Sequence, residues 1–327
     1  MKFSLISPTF GRPEEVTEFL ESLLKQKHSS FEVVLGDGTP GDTLRPEIKR
    51  YENNDTYPLK IVYEEYLPVS DARNRAAQKA SGEYYIFLDS DCLIPENYLQ
   101  EVEQALQQKD WDAFGGPDAA HPDFTHLQKA ISYSMTSLFT TGGIRGKEKH
   151  VGDYHPRGFN MGMKASVFEV VNGYSTLRCG EDIDLSIRII KAGYRVGFIP
   201  RAHVFHKRRT TVKQFFKQVY RFGVARINLR KRHPEQLQLT HAFPAAFLVG
   251  SLLSILGFLL LQNELFNALA ALFFLYLALI LLDSFRLNRN ITVAFYSVIT
   301  SVTMLYGYGW GFLKNLWAWM RGREVKV

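Results

Sequence analysis

Cysteine is almost absent: Cys92 and Cys179 are the only two in 327 residues. They stand far apart and without metal-ligand spacing, which argues against a disulfide scaffold or a zinc cluster and fits a reducing, cytosolic compartment. A leader is not expected either. Met1 to Arg12 has too short an apolar run and meets Pro8 and Gly11 too early for a signal peptide, so export of the N-terminal region is not expected. Acidic residues disappear between Leu185 and Pro234, while cations crowd from Arg201 to Arg232. The net charge is +6, but no nucleic-acid-binding motif accompanies the basic stretch, and nucleic acid is not an expected partner. The belt runs instead into the first long apolar block, as juxtamembrane cations facing an anionic cytoplasmic leaflet do.

Hydrophobic residues make up 46% of the chain and are unevenly spread. Up to about Pro234, short apolar runs alternate with polar helical patterns; from Phe243 onward the apolar blocks are long. The expected organisation is an α/β domain over 1–208, a basic amphipathic interfacial helix over 209–240 and transmembrane or interfacial helices over 241–327. Strands are expected at Lys2–Ile6, Phe31–Leu35, Leu59–Tyr63, Tyr84–Leu88, Asp112–Gly116, Phe159–Met163 and Arg195–Ile199. Helices are expected at Pro13–Lys25, Ser70–Ala80, near Phe124–Phe139 and at Glu181–Ala192. Strands alternating with helices imply a mostly parallel sheet, in which ligands bind beyond the strand C-terminal ends. The loop Thr141–Pro156 is either a lid over substrate or an ordinary surface excursion.

Phe243–Leu261 and Leu265–Leu282 are each long enough to cross a bilayer, and only Gln262, Asn263 and Glu264 separate them. So tight a hairpin returns to the side it left, and Arg286 and Arg289 agree with a cytoplasmic return. Ile291–Trp319 either spans or turns back along the inner face; Lys314, Arg321, Arg323 and Lys326 favour turning back.

The run Tyr84-Tyr85-Ile86-Phe87-Leu88 ends in Asp89-Ser90-Asp91. Alternate side chains of a strand share a face, so the two carboxylates can converge just past its end. Paired hard oxygen ligands suit Mg2+ or Mn2+, and such ions usually accompany phosphate. Three further signals occur in order: Pro8-Thr9-Phe10 after the first strand, Asp37-Gly38-Thr39 after the second, and Gly180-Glu181-Asp182 opening a helix, with Asn160-Met161-Gly162 upstream of it.

Together these resemble the catalytic domain of glycosyltransferase family 2, of membrane-anchored bacterial type, with the Rossmann-like GT-A fold, over about Lys2 to His206. The resemblance implies that Pro8, Thr9, Phe10 and Asp37 hold the nucleotide base, that Arg73 lies near the nucleotide or diphosphate, Asp89 near the ribose, and that Asp91 ligates the metal. It also implies that Asp182 is the general base. Acids are favoured at any helix N-terminus, and Glu181 is read as an orienting or capping group beside the acceptor. His206 is the candidate for a further metal ligand, against the alternative of a surface histidine. Asn160 is expected on the acceptor side. Gln218-Val219-Tyr220-Arg221-Phe222 resembles the Q-x-x-R-W element of membrane-embedded polysaccharide synthases, which places Gln218, Arg221 and Phe222 near the acceptor; Phe222 replaces the tryptophan and weakens a processive reading. Gly36, Gly11 and Cys92 also depart from the family pattern, Cys92 standing where a third acid is common.

The implied function is an inverting, metal-dependent transfer of sugar from a nucleotide donor, expected to be UDP-linked, to a membrane-associated acceptor, expected to be a polyprenyl-diphosphate-linked saccharide. The enzyme would be a multi-pass protein of the cytoplasmic (inner) membrane with its catalytic domain in the cytoplasm. Alternatives are a polyprenyl-phosphate sugar transferase, a processive synthase, for which three membrane segments are few, and a nucleotide-sugar-binding scaffold without catalysis.

Overall fold

The computed structural model describes residues 1–142, 154–261, 263–323 and 325. The chain divides into two compact units, one of Met1–His121 with the described part of Ile144–Lys207, the other of Pro122–Gly143 with Arg208–Val327. Most of the expected lid loop, residues 143–153, lies outside the described residues.

In the first unit the strands are β1 (Phe3–Thr9), β2 (Phe31–Asp37), β3 (Leu59–Tyr63), β4 (Tyr84–Leu88), β5 (Cys92–Leu93), β6 (Ala113–Gly115), β7 (Asp118–Ala119), β8 (Asn160–Lys164), β9 (Val196–Phe198) and β10 (Val204–His206). Its helices are α1 (Pro13–Leu24), α2 (Leu44–Ile48), α3 (Val69–Ala77), α4 (Tyr98–Gln108), α7 (Ala165–Val170) and α8 (Glu181–Lys191). The second unit holds α5 (His126–Thr136), α6 (Leu138–Thr141), α9 (Val212–Arg232), α10 (Phe243–Leu260), α11 (Glu264–Asn288) and α12 (Ile291–Met320).

Seven strands form one sheet in the order β3-β2-β1-β4-β8-β6-β9, and β5-β10-β7 form a second, small one. The β3-β2-β1-β4 half is parallel, and β8 runs antiparallel to both β4 and β6. Strand alternation divides the core. Phe3, Leu5, Val33, Leu35, Ile86 and Leu88 bury one face against Phe19, Leu20 and Leu23 of α1 and Leu99 and Val102 of α4. Ile6, Val34, Tyr85 and Phe87 bury the other against Ala76 of α3, Phe168 of α7 and Leu185 and Ile189 of α8. Leu24, the last residue of α1, is exposed.

The first strand runs past its expected end at Ile6, because Ser7, Pro8 and Thr9 continue to pair with Leu35, Gly36 and Asp37. Proline is tolerated there because the pairing of β1 with β4 stops at Ile6, leaving one side of the strand with no ladder bond to donate. Thr9 is thereby carried level with Asp37.

In the second unit α9 does not lie alone as an interfacial helix: Phe215, Val219, Val224, Ile227 and Leu229 are buried. Gly307, Gly311 and Asn315 of α12 meet Phe216, Tyr220 and Val224 of α9 in turn, so the two helices run parallel. A Cβ on Gly311 would stand 2.1 Å from the Tyr220 carbonyl oxygen, and one on Gly223 2.1 Å from that of Tyr308, so only glycine permits this approach. Those glycines serve close packing, and Ile291–Met320 is one unbroken helix of 30 residues. Ser134 of α5 bonds Thr300 and Ser301 of α12, which makes the Pro122–Gly143 segment part of this helical unit. Among the described residues three helices, ending with α10, α11 and α12, are long and apolar enough to cross a membrane.

Candidate active site

The C-terminal ends of β1, β2 and β4 bring the sequence motifs of the first unit together. At β1 and β2, the Thr9 hydroxyl donates to Asp37 Oδ1 at 2.9 Å and the Thr39 backbone N–H to the same oxygen at 3.0 Å. Asp37 is 1% exposed, and its Oδ2 is buried without a hydrogen-bond partner. A buried carboxylate oxygen left over after the other is saturated is suited to accept an N–H from a ligand. The Gly11 N–H donates to Thr39 Oγ1 at 2.8 Å, which fixes the turn carrying the exposed Phe10 beside this carboxylate. Gly36 departs from the family pattern for a steric reason: a Cβ there would lie 2.3 Å from the Ala72 carbonyl oxygen of α3.

Arg73, on α3, is 3% exposed and forks between two acids. One terminal nitrogen donates to Asp89 Oδ1 at 2.7 Å and the other to Glu181 Oε1 at 2.8 Å. The Tyr174 ring lies 5.0 Å below the guanidinium carbon. This planar clamp ties the acid after β4 to the acid that opens α8, a geometry a lysine cannot reproduce. In this structure Arg73 organises acids. Burial, and next the Asp182 carboxylate, hold the Glu181 carboxyl above the usual range although Arg73 opposes them.

Beyond Asp89, the His206 Nε2 lies 3.2 Å from Asp91 Oδ1 and 4.0 Å from Asp89 Oδ2, so the two acids of the D-x-D run do converge. The Phe159 ring stacks on His206 at 5.1 Å and sets its plane. Among the described residues, one group of side chains has metal-binding composition and spacing: Asp91, Cys92 and His206, with donor atoms all within 4.8 Å of one another. His206 Nδ1 is buried and accepts or donates no hydrogen bond. Oxygen, nitrogen and sulfur donors at such separations fit a divalent transition ion. Asp182 Oδ2 accepts from the Gly158 N–H at 3.1 Å and Oδ1 from the Ile183 N–H at 2.8 Å, which orients the carboxylate.

The family model for glycosyl transferase family 2 matches residues 4–171, just over half of the chain. The chain belongs to this family. The protein is thus a glycosyltransferase with a GT-A fold and a C-terminal region of three apolar helices. It is 26% identical over 257 residues to the succinoglycan biosynthesis protein ExoA of Rhizobium meliloti, covering 73% of this chain and 76% of the relative. It is 23% identical over 325 residues, 96% of each chain, to the dolichyl N-acetyl-alpha-D-glucosaminyl phosphate 3-beta-D-2,3-diacetamido-2,3-dideoxy-beta-D-glucuronosyltransferase of Methanococcus voltae. Among solved structures, the mannosyltransferase PcManGT of Pyrobaculum calidifontis, in complex with GDP-Man and Mn2+, superposes with a TM-score of 0.60 at 20% identity, covering 97% of this chain and 87% of its own, and shares the fold.

Within this glycosyltransferase the geometry separates the expected residues. Thr9 pairs with Asp37, Arg73 joins Asp89 to Glu181, His206 lies beside Asp91 and Asp89, and Asp182 follows Glu181 at the start of α8, held by backbone N–H groups. Asn160 is not available to an acceptor: it is fully buried, its Oδ1 takes the Tyr98 hydroxyl at 2.7 Å and its Nδ2 donates to the Ala202 carbonyl at 2.8 Å. Gln218, Arg221 and Phe222 lie on α9 in the second unit, with Arg221 exposed and the other two half-buried. Sequence reasoning missed Gly158 and Tyr174 as partners of Asp182 and Arg73. Only the small residue after a Pro-Arg turn, and an aromatic near the helix start, pointed to them.

Proposed function

We propose that this glycosyltransferase is an inverting, metal-dependent enzyme that moves a sugar from a nucleotide donor, UDP-linked in the first instance, to a lipid-linked saccharide at the cytoplasmic face of a membrane, in the synthesis of a cell-surface glycan. The observation that carries this reading is the Arg73 fork, which ties Asp89 to the Glu181-Asp182 helix start. Asp37 Oδ2 would accept the imide or amide N–H of the base, and Phe10 would flank it. Asp89 would take the ribose hydroxyls. Asp91 and His206 would hold Mn2+ or Mg2+, which when bound neutralises the diphosphate leaving group.

Asp182, steadied by two backbone N–H donors, would accept the proton of the acceptor hydroxyl as that oxygen attacks the anomeric carbon from the face opposite the diphosphate. One displacement inverts the centre. Glu181 would hold Arg73 and keep Asp182 at its angle. A lipid-linked acceptor is supported by the exposed apolar α10 and α11, by the cations of α9, and by the name of the Methanococcus voltae relative, which points to a dolichyl-phosphate-linked sugar. The cations and the α10–α11 hairpin support a cytoplasmic first unit. Gln218, Arg221 and Phe222 on α9 are proposed to border the acceptor.

The test is a donor screen. With Mn2+ and lipid-linked acceptors, purified chain should release nucleoside diphosphate from one donor class. Asp182→Asn should lower that turnover by about 10²- to 10⁴-fold with donor affinity retained. No release from any donor by a chain that still melts cooperatively would defeat the proposal, and an Asp182→Asn chain that works unchanged in cells would point to a scaffold instead.

A further inference from the structure

Cys92 is fully buried in the core that holds Leu88 and Ile94. It opens β5 directly after Asp91, and in the antiparallel ladder of β5 and β10 it stands opposite His206. Directly opposed residues of an antiparallel pair project on the same face. Its sulfur, an Asp91 carboxylate oxygen and a His206 ring nitrogen consequently fall within 4.8 Å of one another. A four-coordinate shell with bonds of about 2.0 to 2.3 Å spaces its donors by roughly 3.3 to 3.8 Å, so closure needs movements of about 1.5 Å at most. A hydrogen bond from the sulfur to the Phe159 carbonyl is long at 3.9 Å and therefore weak.

We infer that Cys92 is a thiolate ligand of the active-site cation, completing with Asp91 and His206 a mixed oxygen, nitrogen and sulfur site that leaves room for donor oxygens. This rests on the metal-dependent reading above and goes beyond it by fixing the class of ion. On coordination the thiol proton leaves to solvent and a sulfur–metal bond forms, with no change in oxidation state. A soft donor in the shell favours ions such as Co2+ and Zn2+ over Mg2+, which prefers oxygen and retains its water.

The test uses the full chain in detergent, stripped of metal and titrated with Co2+. The Cys179→Ser chain, whose single thiol is Cys92, should develop a near-ultraviolet sulfur-to-cobalt charge-transfer band that saturates with one ion per chain. Cys92→Ser should lose the band, and Asp91→Asn or His206→Ala should weaken Co2+ binding by about tenfold or more. X-ray absorption of the Cys179→Ser chain gives the same answer should Cys92→Ser fail to fold: a sulfur scatterer supports the inference. Bound Co2+ surrounded only by oxygen and nitrogen, a band that survives Cys92→Ser, or no Co2+ binding overturns it. Mn2+-supported turnover without any sulfur ligand would remove this inference and leave the proposed function standing; a sulfur band without turnover on any donor would do the reverse.

Discussion

The two units of this chain bury polar groups in opposite ways. In the α/β unit several of the buried polar groups are charged side chains that meet a partner of opposite charge: Arg73 between Asp89 and Glu181, Asp184 with Arg188, Glu32 with Lys60. In the helical unit they are mostly hydroxyls and amides that bond to helix carbonyls or to one another, as with Ser134, Thr300 and Ser301, Ser284 with Ser297, and Asn315 with Val224 and Asn228. The outer surfaces differ in the same sense, since Leu252, Leu256, Leu259, Leu272, Leu275 and Leu282 point outward from α10 and α11. A unit built for water can spend its interior on fixed charge and so make a site, whereas helices for an apolar medium must pair neutral groups internally.

The largest expected effect on stability breaks the charged side of that contrast. Arg73→Met leaves Asp89 and Glu181 facing each other without their cation, and should cost about 3 kcal/mol in urea unfolding, with donor affinity falling as well. An unchanged unfolding midpoint would show that the fork is incidental. Next comes the close approach in the helical unit. Gly311→Val drives side-chain atoms onto the Tyr220 carbonyl and should lower stability by about 2 kcal/mol, read as an earlier melt in detergent.

A smaller effect depends on pH. Burial pushes the Glu32 carboxyl up, but bonds from Lys60, Ser4 and Ser81 outweigh it and hold the group at about 2 against an ordinary 4.5. A depressed carboxylate stabilises the fold fully above its unfolded value and loses that contribution as the pH falls through the folded one. The melting temperature of the native chain should therefore exceed that of Glu32→Gln at pH 7, and the gap should close between about pH 4.5 and 2. A gap that stays constant with pH would mean the carboxylate's charge is irrelevant. Smallest is Ser134→Ala, which removes one hydroxyl bridging α5 and α12 and should cost about 1 kcal/mol in thermal unfolding.

What the sequence disclosed follows the same division. An apolar strand ending in two acids, and a glycine-led acidic helix start, were legible because periodicity and motif order coincide there. The small sheet was not, since β5, β7 and β10 are two or three residues long and carry no period, and without that ladder the position of His206 opposite Cys92 cannot be inferred. Helix α4 was overlooked although Tyr98, Leu99, Val102 and Leu106 lie at helical spacing and are buried. Pro8 read as a strand end because the open side of β1 is a property of the sheet. Asn160 read as an acceptor group because a polar residue after a loop looks the same whether it faces solvent or, as here, a buried tyrosine hydroxyl. For α12 the cations near its end drew the reading, and the role of its glycines, which admit neighbouring backbones, shows only in three-dimensional packing.

The central claim is that side chains distant in sequence line one crevice around a cation and a diphosphate. Anomalous diffraction at the manganese edge, from crystals of the full chain with Mn2+ and a nucleoside diphosphate, tests it most directly. The account predicts a manganese peak in contact with Asp91 and His206, with the base against Asp37 and the open side of the diphosphate facing Asp182. A peak elsewhere, or a nucleotide bound away from Asp37, would contradict it.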